Sequence, residues 1–134
     1  MIVDTSAICA ILLAEPGHEA IARGLLASPV RRMSAASVVE TATVMMAHST
    51  GRSRSEVSAD TLASIEGLGV AIVPFDERSA ALAAMVYAAH GRGAGRVGFN
   101  LGDAFVAALA LERDEPILAF GTDEFARAGL PQVG

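Results

Sequence analysis

Hydrophobic and polar positions along this chain fall into short blocks whose period switches repeatedly between strand and helix. Residues 1–4 open with an apolar run that ends at Asp4-Thr5-Ser6, after which apolar residues recur with helical spacing through Leu13. The pattern predicts a strand and then a helix. Pro16 and Gly17 interrupt it, and residues 18–26 carry a second helical pattern that stops at Ser28-Pro29. Residues 30–33 form a short strand candidate. Ser37, with Glu40 three residues on, reads as a capping box opening a helix that runs past Met46. Ser53 and Glu56 repeat that signature for a helix through Ile65, closed by Gly67 and Gly69. Residues 70–75 are the clearest strand, Asp76 caps a helix to Ala89, Asn100 caps another over residues 101–112, and residues 117–120 are the last strand. A Gly121-Thr122 turn, a short helical piece from Asp123 and a frayed end complete the chain.

Four short strands separated by helices predict an α/β fold with a parallel sheet covered on both faces. At 134 residues the chain is expected to be one domain spanning residues 1–134. Ligands of such sheets bind at the carboxyl ends of the strands. Asp4 ends the first strand, Asp123 follows the last, and Glu40 and Asp103 each read as lying in the first turn of a helix.

Composition narrows the chemistry. A chain that is 52% hydrophobic and 19% charged is too apolar to stay disordered. Acidic residues interrupt every apolar stretch before it is long enough to span a membrane, and the opening run lacks a basic flank, so a cytoplasmic location is expected. All ten basic residues are Arg. The lack of Lys excludes a Walker A loop and Schiff-base chemistry. The net charge of −5 argues against a protein that coats nucleic acid, while leaving room for a local basic rim. Cys9 reads as a core residue, and His18, His48 and His90 have no metal-ligand spacing. Gly91, Gly93, Gly95 and Gly98 follow a helix instead of a strand, which fits a flexible loop carrying Arg92 and Arg96 better than a dinucleotide site. Glu112, Asp114 and Glu115 read as a solvated helix end.

Each of Asp4, Glu40, Asp103 and Asp123 has a structural reading as a cap or a helix-start carboxylate. Converging on one point, the same four would repel one another unless a cation lay between them, and a divalent metal answers that need.

Four segments together resemble a known family, the PIN-domain ribonucleases, and within it the VapC-type toxins of bacterial toxin-antitoxin pairs. They are Met1-Ile-Val-Asp-Thr-Ser6, Ser34-Ala-Ala-Ser-Val-Val-Glu40, Phe99-Asn-Leu-Gly-Asp-Ala-Phe105 and Thr122-Asp-Glu-Phe125, in the family's order and spacing. The resemblance implies a three-layer α/β/α sandwich on a short parallel sheet of about four to five strands. It also implies an endoribonuclease dependent on Mg²⁺ or Mn²⁺ that cleaves structured tRNA or rRNA to arrest growth, a homodimer, and inhibition by a cognate antitoxin. Asp4, Glu40, Asp103 and Asp123 match the acidic quartet, and Ser6 matches the hydroxyl beside the first Asp. Asn100 is taken as a supporting residue, and Arg92 and Arg96 as RNA contacts. Many of these toxins carry Lys-Gly-Asp-Asp-Phe near the end, where this chain has Gly121-Thr122-Asp123-Glu124-Phe125. That departure leaves the fourth acid open between Asp123 and Glu124. Two other readings compete: a non-catalytic interaction module of the same fold, and a nuclease directed at DNA.

Overall fold

In the computed structural model, which describes residues 1–95 and 97–133, four parallel strands lie in the order β3-β2-β1-β4. They are β1 (Ile2–Val3), β2 (Arg32–Ser34), β3 (Ala71–Val73) and β4 (Ile117–Leu118). Each is only two or three residues long, so one alternation of side chains decides what each face sees. Ile2 and Ile117, paired in register, point into one core with Ala83, Val86, Phe99, Val106 and Phe125. Val3 and Leu118, the next pair, point into the other with Ile8, Leu25, Met33, Val38 and Ile65. Helices α1 (Thr5–Leu12), α2 (His18–Ala27), α3 (Ala35–His48) and α4 (Arg54–Gly67) supply the second core. Helices α5 (Glu77–His90), α6 (Leu101–Arg113) and α7 (Glu124–Arg127) supply the first. This is the α/β sandwich expected, with four strands.

The chain winds from β1 outward through β2 to β3, then returns to place β4 on the other side of β1. Connections therefore diverge at the β1/β4 boundary, where open parallel sheets leave a crevice at the strands' carboxyl ends. Asp4 sits there, its amide donating to Leu118 O at 2.9 Å.

Three local expectations need correction. The capping box of α3 does not start at Ser37. Ser34, the last residue of β2, is the N-cap, its Oγ accepting from Ala36 N at 3.3 Å. The strand passes into the helix with no loop between them, so Ser37 lies one turn inside and fully buried, and Glu40 is free of any capping duty. Glu115 is not a solvated helix end. It is paired with the Arg32 guanidinium and with the Met1 amine, the latter at 2.9 Å, while Asp114 takes the left-handed conformation that terminates α6. The C-terminal segment does not fray, because Ile117 N donates to Pro131 O and Val133 N to Ile117 O, both at 2.9 Å.

The glycine-rich segment after α5 is closed at its base by Phe99 N donating to His90 O at 2.9 Å and Arg92 N to Phe99 O at 3.2 Å. Phe99 is fully buried, its ring 5.5 Å from Phe125 and 5.7 Å from His90. It ties the loop and α7 to the same core. Truncating it leaves a cavity that the surrounding helices fill only in part, so Phe99→Ala should lower unfolding free energy by about 3–5 kcal/mol. The effect should appear as a shift in the denaturant midpoint with little change in slope.

Candidate active site

Asp4 is the residue on which β1 ends and α1 begins. Its carboxylate caps α1, accepting from Ser6 N at 2.9 Å and from the Ser6 hydroxyl, and only 6% of the residue is exposed. Ser6 Oγ in turn accepts from Phe120 N at 2.9 Å. One hydroxyl thus joins the end of β1 to the segment leading from β4 into α7.

Glu40 reaches the same region from α3. Thr5 Oγ1 lies 3.0 Å from Glu40 Oε2 and 3.3 Å from Ser37 O. Thr5 has one proton to give, and the carboxylate is both the nearer and the stronger acceptor, so it takes the Thr5 proton while Ser37 O accepts from Thr41 Oγ1 at 2.9 Å. Asp103 comes from the first turn of α6. It shares a reciprocal capping box with Asn100, Asn100 N donating to Asp103 Oδ2 at 2.7 Å and Asp103 N to Asn100 Oδ1 at 3.0 Å. Asn100 therefore fixes the Asp103 rotamer.

The two C-terminal acids separate. Asp123 is exposed, with its carboxylate 3.1 Å from Arg127 Nε, and it makes no side-chain cap on α7. Glu124 is less exposed and lies close enough to raise the proton affinity of both Asp4 and Asp103.

Burial is the main force on the other three carboxyls. It pushes Asp4 above the usual carboxylate range against the opposing Ser6 hydrogen bonds, with Glu124 adding to the rise. Glu40 is raised by burial, less the Thr5 bond, and further by Asp4 and Asp103. Asp103 is raised by burial, less the Asn100 bond, and further by Asp4 and Glu124, while Arg92 opposes the rise. Asp4, Glu40, Asp103 and Glu124 thus share one electrostatic neighbourhood, at the carboxyl end of the sheet. Each of the first three rests on a donor of its own chain, and among the described residues no three His, Cys, Asp or Glu side chains are gathered tightly enough to hold one ion as they stand. The donor set, all carboxylate oxygens with mutual repulsion, suits a hard divalent cation.

Arg92 stands at the start of the glycine-rich loop, on the Asp103 side of the site. Arg96 lies outside the described residues. Cys9 is buried core, its thiol pushed up to about 11 by burial, and takes no part. Among the described residues, no helix is long and apolar enough to cross a membrane.

Two residues of the site escape sequence reasoning. Thr5 stands between Asp4 and Ser6, but nothing in the string shows that its hydroxyl faces α3. Gly102, directly before Asp103, packs so close to the Glu40 carboxylate that a Cβ there would collide with both oxygens.

The PIN domain family model matches residues 1–130, and the chain belongs to that family. Its relatives place it more narrowly. It is 42% identical over 135 residues to VapC ribonuclease Mb0625 of Mycobacterium bovis and to ribonuclease VapC28 of Mycobacterium tuberculosis, covering 99% of this chain and 97% of each relative. It is 36% identical to ribonuclease VapC of Mycolicibacterium smegmatis, over 90% of this chain and 91% of that one. Among solved structures, the fold resembles that of VapC20 from M. tuberculosis, described as a sarcin-ricin loop cleaving toxin, with TM-score 0.77 and 21% identity over 98% of this chain and 97% of that one. A toxin-antitoxin complex from Klebsiella pneumoniae has a chain that matches with TM-score 0.65 and 17% identity over 93% and 89%.

The raised carboxyls set a direction of pH dependence. Unfolded Asp and Glu titrate near pH 4, and the fold holds these protons more tightly. Metal-free stability from this cluster is then greatest below the unfolded values and declines as pH rises through the raised, folded ones. Asn at position 4 keeps an oxygen for the Ser6 amide and removes one charge. In EDTA, Asp4→Asn should melt no lower than wild type at neutral pH, and its advantage should widen from pH 4 upward. A gap independent of pH in thermal melts would refute the account.

Proposed function

We propose that this protein is a metal-dependent endoribonuclease acting as the toxin of a toxin-antitoxin pair, with Asp4, Glu40 and Asp103 as metal ligands and Glu124 as the fourth acid. The observation that carries the reading is that carboxylates from the end of β1, from α3 and from α6 lie at the carboxyl end of the sheet, each raised by burial and by at least one neighbouring carboxylate. The names of the VapC relatives support RNA as substrate. Capping accounts for Asp4 and Asp103 taken singly but not for Glu40, which caps nothing. That residue favours a catalytic site over a non-catalytic module.

Asp4, Glu40, Asp103 and Glu124 would hold a Mg²⁺ or Mn²⁺ ion, which would supply electrostatic stabilisation of the charge that builds on the phosphoryl oxygens during cleavage. The protein's share is to hold and orient. Ser6 locks Asp4 and its neighbouring backbone, and Asn100 locks Asp103, so these two ligands start from fixed rotamers and the ion has less side-chain freedom to remove as it draws the carboxylates together. Carboxylates repel RNA, so a cationic rim is needed to draw the phosphate backbone in, and Arg92 with Arg96 fills that role. Asp123 shares Arg127 with Glu124 but is the more exposed of the two, and stays outside the cluster. A structured tRNA or rRNA is the substrate class, and a cognate antitoxin the regulator, as the family's toxin-antitoxin pairs suggest. Homodimerisation fits the apolar clefts on both sides of Leu101 and Phe105, lined by Val39 and Val44 on α3 and by Ala84 and Tyr87 on α5.

Asp103→Asn preserves the cap and should reduce cleavage of a structured RNA by more than the roughly 10–100-fold seen when outer partners of a metal site are lost, with an unchanged circular dichroism spectrum. Glu124→Gln should impair cleavage far more than Asp123→Asn; the opposite order would return the fourth position to Asp123. RNA binding by Arg92→Ala should be weaker for every sequence, with the salt slope reduced by about one unit. An unchanged slope would move the RNA path away from this loop.

A further inference from the structure

Glu40 is the only member of the cluster held by side chains and backbone of other elements alone. Asp4 is fixed by its own helix start and Asp103 by its own capping box. On one side of Glu40 lies the Thr5 hydroxyl, 3.0 Å from Oε2, on a residue that is 8% exposed and backed by the fully buried Thr41, whose Oγ1 is 3.4 Å away. On the other side lies the bare Cα of Gly102, where a Cβ would overlap the carboxylate. Gly102 sits in the first turn of α6 with an ordinary backbone, so no left-handed conformation calls for glycine there. Ala is the better helix former at such a position. What requires glycine is the room it leaves.

We propose that Thr5 and Gly102 are positioning residues that clamp the Glu40 carboxylate in a slot between α1 and α6, aimed at the metal position; this rests on Glu40 being a ligand as read above. The slot has an open side. A cleft of about 310 Å³ between α3 and α6, lined by Ala36, Val39, Thr43, Val44, Leu101 and Phe105, begins at Glu40 and Gly102. A carboxylate pushed off Gly102, or released by Thr5, has that cleft to swing into. Filling the slot at Gly102 or removing the Thr5 hydroxyl therefore misaims the ligand while leaving α3 intact.

Mn²⁺ binding to the purified full-length protein, measured by titration calorimetry and by the metal-induced shift in melting temperature, tests the clamp without reference to activity. Thr5→Val keeps the shape and removes the hydroxyl, Thr5→Ser keeps the hydroxyl, and Gly102→Ala fills the slot. Thr5→Val and Gly102→Ala should each weaken Mn²⁺ binding by about 10–100-fold, the range for partners that orient metal ligands. Thr5→Ser should stay within a few-fold of wild type. In a Glu40→Gln background, Thr5→Val should add little further loss, because the group it orients is already disabled. Metal-free melts establish that each variant folds, and Gly102→Ala, favoured by helix propensity, carries the test if Thr5→Val does not. Equal losses in Thr5→Val and Thr5→Ser, wild-type affinity in Gly102→Ala, or full additivity with Glu40→Gln would overturn the clamp alone. Wild-type affinity in Glu40→Gln would overturn Glu40 as a ligand and the clamp with it.

Discussion

Keeping the Asp4 carboxylate out of water is the constraint on which the rest of this structure turns. An ionised carboxylate in such a place is tolerated only when donors surround it or a cation compensates it. The fold meets the first need locally, with the Ser6 amide and hydroxyl, and uses the same hydroxyl to receive Phe120 N. The capping of α1, the closing of β4 against β1 and the placing of α7 near the site are thereby one event. Cores on both faces are built from the pairs beside it, Ile2 with Ile117 and Val3 with Leu118.

Much of this was legible in the sequence. The four strands and the sandwich follow from alternation, turns and caps, while Asp4, Glu40 and Asp103 stand out through their place in segments that resemble the family's. Misreadings cluster where local chemistry is ambiguous and tertiary partners decide. Both Ser34 and Ser37 are good N-caps by type, and only the direct passage of β2 into α3 selects Ser34. Glu115 looks like one of three solvated acids until Arg32, distant in sequence, is set beside it. Asp123 and Glu124 are adjacent, chemically alike and both within reach of Arg127, and only the fold leaves Asp123 exposed while Glu124 is close enough to act on Asp4 and Asp103. Thr5 and Gly102 were invisible for the same reason, since their significance lies wholly in what α3 brings against them.

The site also joins two kinds of role that are often treated as alternatives. Asp103 belongs to a complete capping box and at the same time feels Asp4 and Glu124. The cap orients the charge that the proposed metal site would use. A helix start offers a carboxylate a fixed rotamer and a favourable dipole together, which makes it an economical mount for a ligand.

The brevity of the strands has a consequence for how this chain can change length. With β1 only two residues long and α1 beginning directly after Asp4, no slack exists at that junction. One inserted residue between Val3 and Thr5 would turn the following side chains onto different faces and exchange Ser6 for a neighbour in front of Phe120. Between Arg92 and Phe99, by contrast, the loop is closed at its base by the His90, Arg92 and Phe99 backbone bonds, and residues added or deleted beyond the Ala94 turn leave that closure untouched. Variation in length among chains of this design should therefore gather in that loop and spare the junction at Asp4, so that the reach of the cationic rim can change while the acidic centre stays in register.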